Sequence, residues 1–258
     1  MKAIAIFNEK GGTGKSTVTA LFASWLAYEK CKQVAVLDFD SPSYQYDTWR
    51  RKELRWASEP GNELGRLASE NPYTIKKVPP MSSGDMIAFV KMVKERNDGY
   101  LFLEFGGSFH SGKDDPSYVL LTEGLVDRLI IPVTTDEQTL DAAMYTVMSV
   151  RSSKKCRETS ITLLWNNISG NERRSDGRQD WFSVAQAQFR ALGADICGEK
   201  IRRNEILTRK ANSALFVRNT LCWPKKNVKF MGCEYLETVF NELLESIDKQ
   251  NSLNNNKK

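Results

Sequence analysis

Residues 3–7 form an unbroken apolar run, and the segment Asn8-Glu9-Lys10-Gly11-Gly12-Thr13-Gly14-Lys15-Ser16-Thr17 follows it directly. A short apolar run bounded by glycines reads as a buried strand. Beyond the glycines, Val18, Leu21, Phe22, Trp25 and Leu26 recur with the spacing of one helical face. A strand, a tight loop of small residues and a helix start together aim successive backbone N–H groups, and the positive end of the helix dipole, at a single point. That point is an anion site. Gly11, Gly12 and Gly14 let the backbone close on the anion, Lys15 has the reach for β- and γ-phosphates, and the hydroxyl of Ser16 offers an oxygen to a magnesium ion.

Six more strand candidates follow at residues 34–38, 73–78, 100–105, 128–133, 161–165 and 194–198, with helical patterns between most of them. This alternation predicts an α/β fold of the P-loop NTPase kind: a mostly parallel, doubly wound sheet of seven or eight strands with helices on both faces. Residues 1–250 are expected to form one such domain, and residues 251–258, rich in Asn and Lys, a disordered polar tail. Ligands of these sheets sit beyond the carboxyl ends of the strands.

The phosphate loop begins at residue 8 and no run approaches the ~20 apolar residues of a membrane span, so the expected location is cytoplasmic. Five cysteines scattered through the chain without C-x-x-C spacing argue against a zinc or iron–sulfur framework. The one histidine, His110, has no Ser or Cys partner suggested by spacing, which argues against a nucleophilic triad.

Two further carboxylate clusters fall at predicted strand ends. Asp38 and Asp40 close the second strand on the same side by alternation, and a magnesium ion would relieve their repulsion. The fourth strand is an apolar run ending in Glu104, the pattern of a Walker B element, followed by Phe105-Gly106-Gly107.

The run Lys10-Gly11-Gly12-Thr13-Gly14-Lys15-Ser16-Thr17 resembles the deviant phosphate loop of the ParA/MinD family, with Glu9 where the general phosphate-loop pattern has glycine. The resemblance covers most of the chain, and its specific residues are concentrated in the first forty. It implies an ATPase acting with ATP and Mg2+, in which Lys10 and Lys15 contact the phosphates, Lys10 from across a dimer. Gly11 to Thr17 then cradle the nucleotide, and Ser16, Asp38 and Glu104 surround the metal. Asp40 positions the hydrolytic water, Gly107 senses the γ-phosphate, and Asn166, rather than Asn167, reads the adenine edge. Residues 134–137 are implied to contact the second protomer. Two departures stand out: Ser41-Pro42-Ser43 replaces the family's Pro-Gln, and Glu104 replaces its Asp with no proline after it. Slow or partner-dependent hydrolysis is the expected consequence.

Between Arg151 and Lys229 there are 17 Lys and Arg against 7 Asp and Glu, although the whole chain carries only +5. Such a basic region fits a polyanion. With the resemblance, it points to an ATP-dependent homodimer that binds DNA without sequence preference, associates with the nucleoid, and is stimulated by a ParB-like or transfer-machinery partner. The role would be partition of a plasmid or chromosome, or transfer of a conjugative element, where ParA-like proteins of this layout include the group called TraA. Two alternatives remain open at this stage. One is a MinD-like membrane-cycling regulator of cell division; against it, the last apolar helical stripe, which includes Leu236, Val239, Phe240, Leu243, Leu244 and Ile247, is flanked by acidic residues that anionic lipid repels. The stripe is expected to pack on the sheet instead. The other is a metabolic P-loop enzyme, for which no small-molecule pocket is evident in the residues.

Overall fold

The structure is a computed structural model that describes residues 1–61, 73–96, 98–107, 115–169, 181–203 and 234–255. Its centre is a sheet of seven strands: β1 (Lys2–Ile6), β2 (Val34–Asp38), β3 (Tyr73–Lys77), β4 (Tyr100–Glu104), β5 (Arg128–Val133), β6 (Ser160–Trp165) and β7 (Asp195–Ile196). They lie in the order β3-β2-β4-β1-β5-β6-β7, and every pairing is parallel. Each of the seven predicted strands is present, and the seven-strand form of the expected fold is the one observed among the described residues.

Parallel strands need crossovers, and the sequence supplies helices for them: α1 (Lys15–Tyr28), α2 (Gln45–Ala57), α3 (Ser83–Arg96), α4 (Pro116–Thr122), α5 (Glu137–Ser152), α6 (Trp181–Ala191) and α7 (Glu234–Asn255). Alternation along the strands sends side chains to two separate cores. Ile4, Ile6, Val36 and Phe102 pack with α1 and α7, while Ala5, Phe7, Leu101 and Leu103 pack with α3, α4 and α5. The chain leaves β1 to reach β2, beyond β4, and leaves β4 to reach β5, beyond β1. Connections departing in opposite directions from adjacent strands open a crevice past their carboxyl ends, which is where such sheets bind ligands.

The helix after the glycine loop is buried more completely than a single apolar stripe requires. Val18, Leu21, Phe22, Trp25 and Leu26 are all covered, and so are Ala20, Ala23, Ser24 and Ala27. A helix enclosed on all sides must have a cover on its outer face, and here α7 provides it. The Phe240 ring stacks on Phe22 at 5.1 Å and lies 5.7 Å from Trp25. Leu236, Val239, Leu243 and Ile247 are buried in the same core. The last apolar stripe therefore packs on α1 as well as toward the sheet. Polar contacts pin it in place: Glu242 accepts the Gly198 N–H at 2.7 Å and the Glu199 N–H at 3.2 Å, and the Lys2 ammonium donates to the Ile247 carbonyl at 2.7 Å.

The helix runs through Asn255. Residues 251–255, expected to belong to a disordered tail, are thus helical, because a helix already nucleated and docked gains a hydrogen bond for each residue added. Residues 256–258 lie outside the described part. Among the described residues no helix is long and apolar enough to cross a membrane.

Truncating Phe240 to alanine is expected to cost ~3–5 kcal/mol of stability, the range for deleting a buried aromatic ring. Urea unfolding measures it, and a loss below about 1 kcal/mol would mean that α7 is not part of the core.

Candidate functional site

The loop between β1 and α1 is held from below by Asn8. This side chain is fully buried. Its Nδ2 donates to the carbonyls of Pro132 and Thr139, both at 3.0 Å, and its Oδ1 accepts the Lys10 N–H at 3.0 Å. Its two amide hydrogens and its oxygen are all engaged, as a buried amide requires. The loop then turns through Gly12 (φ 81°) and Gly14 (φ 83°). A side chain at Gly14 is excluded twice, since its Cβ would also stand 2.3 Å from Asn166 Nδ2. That Nδ2 donates to the Thr13 carbonyl at 2.6 Å. Asn166, expected at the adenine edge, therefore also braces the loop, whereas Asn167, with φ 59°, shapes the turn.

The N-terminus of α1 has no side-chain cap and no acidic residue in its first turn. Its first N–H groups are the orphan donors that a helix start leaves over, at the positive end of the dipole. Cβ atoms added at Gly11 or Gly12 would meet nothing within 4 Å, so the space over the loop is open. Lys15 is buried and its ammonium donates to the Lys10 carbonyl at 3.2 Å. Burial lowers its pKa, and the charges of Glu104 and Asp40 act in the other direction. An ammonium in a low-dielectric cleft beside unused N–H groups suits a polyphosphate.

The sheet register sets Asp38 opposite Glu104. Glu104 is fully enclosed and its carboxyl is pushed up to about 7, first by burial, against the opposing effect of the Ser16 and Thr19 hydroxyls beside it; Asp38 adds to the rise and Lys15 opposes it. Its Oε2 is buried without a hydrogen-bond partner. The extra methylene relative to aspartate thus brings the carboxylate to Ser16 and does not displace it from the loop. The Ser16 hydroxyl and a carboxylate with one oxygen left unpartnered are hard oxygen donors that fit Mg2+. Asp38 is also buried, which raises its pKa, but its oxygens accept the N–H groups of Asp40 at 3.0 Å and Asp47 at 3.2 Å. Its observed task is to hold the turn from β2 into α2, next to the place where the sequence predicts the metal.

Asp40 stands on the opposite wall. Its Oδ1 lies 2.9 Å from where a Gly106 Cβ would be, and Ser43 Oγ donates to its Oδ2. The position of a Gly107 Cβ is 3.8 Å from Lys15 Nζ. The structure gathers Lys15, Ser16, Asp40, Glu104 and Gly107 around one opening. Lys10 is exposed at its rim, and its ammonium donates to Gln138 Oε1 at the start of α5.

Sequence reasoning gave no role to Asn8, Thr19 or Gln138. An Asn directly after a buried strand was a signal for the first of these. It also found no cavity, yet one of about 410 Å3 opens between the ends of β2, β3 and β4, with Phe39, Val78, Met86 and Phe105 among its walls and Asp40 on one side. Of the basic residues, Arg151 is used internally, donating to the carbonyls of Thr159 at 2.8 Å and Gly193 at 2.7 Å, and Lys155 pairs with Glu123. Lys154, Arg157, Arg202 and Arg203 are exposed. Arg173, Arg174, Arg178, Arg209, Lys210, Arg218, Lys225, Lys226 and Lys229 lie outside the described residues, as does His110.

A parallel sheet with a glycine loop at its central crevice, an uncapped helix start and a buried lysine defines a P-loop nucleotide-binding domain. Residues 4–254 match the CbiA family, described as the CobQ/CobB/MinD/ParA nucleotide binding domain, and the chain belongs to that family. No curated protein sequence matches it. Among solved structures, a putative plasmid partition protein of Borrelia burgdorferi bound to AMPPNP is similar over 95% of this chain and 99% of its own, at 16% identity and TM-score 0.61. A ParA family ATPase of Chlorobium tepidum TLS is similar over 94% and 97%, at 18% identity and TM-score 0.60. A chain of the MinC:MinD cell division protein complex of Aquifex aeolicus is similar over 90% of this chain and 97% of its own, at 16% identity and TM-score 0.56. At these identities the likeness is one of fold.

The raised carboxyl of Glu104 has a consequence for pH. The native state keeps a proton that the unfolded chain, with an ordinary value of 4.5, has already released. Its contribution to stability is full below about 4.5 and is lost as pH rises through about 7. Without nucleotide, urea unfolding is expected to show ~2–3 kcal/mol less stability from this group at about pH 8 than at about pH 5. Glu104→Gln should flatten that difference, and an unchanged slope would assign it to other groups.

Proposed function

We propose that this chain is an ATP-binding switch of the ParA type: a homodimer assembled on ATP and Mg2+ that binds DNA without sequence preference and hydrolyses ATP slowly. The observation that carries the reading is the convergence of the uncapped start of α1, buried Lys15 and the Ser16–Glu104 pair on one opening that Asp40 and Gly107 complete. In this reading the backbone of residues 11–17 cradles the phosphates, and Lys15 trades the Lys10 carbonyl for β- and γ-phosphate oxygens. Ser16 and Glu104 hold the metal, which neutralises phosphate charge when bound, with Asp38 supporting from behind through the turn. Asp40 orients a water in line with the γ-phosphate. The Gly107 backbone responds to the γ-phosphate, Asn166 offers its remaining amide functions to adenine, and Lys10 reaches the partner's nucleotide.

The basic residues between Arg151 and Lys229 supply contacts to DNA phosphates, and a ParB-like or transfer-machinery protein stimulates turnover, in partition or conjugative transfer. The membrane-cycling alternative has less support, because the apolar face of α7 is occupied by Phe22, Trp25 and their neighbours. The cavity beside Asp40 gives the metabolic alternative a place for a small substrate. Phosphate release that requires an added small acid or amine would favour it over the switch.

Lys15→Ala is expected to abolish ATP binding in calorimetry. Asp40→Ala should bind ATP and remain dimeric with it, and a monomer in saturating ATP would refute that role for Asp40. DNA affinity of the ATP-bound form should fall with salt on a log–log slope of about −0.9 per phosphate neutralised; a flat response would remove DNA from the reading.

A further inference from the structure

Lys10 is held at three points in a single protomer. Its N–H is bound by Asn8 Oδ1 at 3.0 Å, and its carbonyl accepts from Thr13 Oγ1 at 3.3 Å and from the Lys15 ammonium at 3.2 Å. Its own ammonium is bound by Gln138 Oε1 of the same chain. Gln138 in turn sits in a fixed place, because its N–H donates to Asp136 Oδ1 at 3.0 Å and the carbonyl of the next residue, Thr139, accepts from buried Asn8. The loop and the start of α5 are one joint, and the Lys10 side chain lies along it.

From this geometry we infer that Gln138 is a positioning residue that parks Lys10 in cis in the separate protomer, so that Lys10, once ATP has loosened its backbone, must still give up this bond to enter the second protomer. The inference rests on the dimeric-switch reading above. Two features give it direction. Lys15 donates to the Lys10 carbonyl, and a triphosphate that draws Lys15 away removes one of the donors fixing the Lys10 backbone. The parking acceptor is a neutral amide at an exposed position, so only the donor of this bond carries charge. Phosphate oxygens in the partner's site are ionised acceptors, and a bond charged on both sides is the stronger of the two. A neutral acceptor therefore holds Lys10 until the partner's phosphates are within reach and then yields it to them. A carboxylate at the same position would hold it too firmly.

The test is the dimer dissociation constant of the full chain, measured by sedimentation velocity with saturating Mg2+ and a non-hydrolysable ATP analogue. Gln138→Leu, which removes the acceptor from an exposed helix position, is expected to tighten the dimer by about 5–100-fold, since two such hydrogen bonds, one per protomer, are given up when it forms. Gln138→Glu, which keeps good helix-start chemistry and strengthens the acceptor, should weaken it by a similar factor. A residue that merely supports the start of α5, or that contacts the partner directly, would give a weaker dimer with Gln138→Leu. That outcome, or an unchanged constant, overturns the parking role while leaving the dimeric switch intact. A wild-type chain that stays monomeric with the analogue overturns both.

Discussion

The three hydrogen bonds of Asn8 are the constraint on which the rest of the site depends. They join the end of β1, the end of β5 and the first turn of α5 to the backbone of Lys10, in a place that excludes water. Removing that amide would take the side-chain partner from the Pro132 carbonyl and the Lys10 N–H and leave the Thr139 carbonyl with its helical bond alone; a buried polar group left unpaired costs ~1–3 kcal/mol. A phosphate cradle acts through backbone N–H groups, so its precision is the precision with which the backbone is held. Asn8 below and Asn166 above, the latter closing on Gly14 and the Thr13 carbonyl, clamp the loop from opposite sides. Both amides do for the loop what secondary structure does for the strands and helices around it.

Electrostatics explain why this assembly is poised for a ligand. Lys15, Asp38 and Glu104 are ionisable groups inside the fold, and burial is the largest influence on the pKa of each. Buried charges are costly unless paired. Asp38 is compensated by backbone N–H groups. Lys15 relies on one carbonyl, and Glu104 retains an oxygen with no partner. The two groups left under-compensated are the ones assigned to phosphate and metal, so binding relieves the strain that folding creates. The departure from aspartate at position 104 fits the same logic: a longer side chain on a register fixed by Asp38 still delivers its carboxylate to Ser16.

The strands and the loop were legible because each depends on neighbours in sequence. Apolar runs of about five residues, punctuated by glycine or polar residues, located all seven strands, and the short spacing within residues 8–17 located the cradle. What was not legible came from contacts between distant parts of the chain. Asn8 meets residues 124 and 131 positions away, and Lys10 meets one 128 positions away. The all-round burial of α1 follows from a helix more than two hundred residues later. The same distance explains the extension of α7 to Asn255, since a polar Asn-rich end reads as disordered until the docked helix before it is taken into account. Asp38 shows a subtler limit. Alternation predicts Asp38 on the same side as Asp40, but only the folded turn reveals that its oxygens go to backbone donors.

The position of Lys10 connects these points. A lysine that must act on another protomer's nucleotide has to be close to its own loop and yet not bind its own phosphates. Its backbone is shared with the cradle, which makes it sensitive to occupancy, while its side chain runs outward along α5 to a neutral acceptor. Two kinds of contact therefore meet in one residue: the buried Asn8 amide holds the Lys10 backbone, and one exposed hydrogen bond holds its ammonium. In the proposed switch, that outward run is the link between the loop and the second protomer.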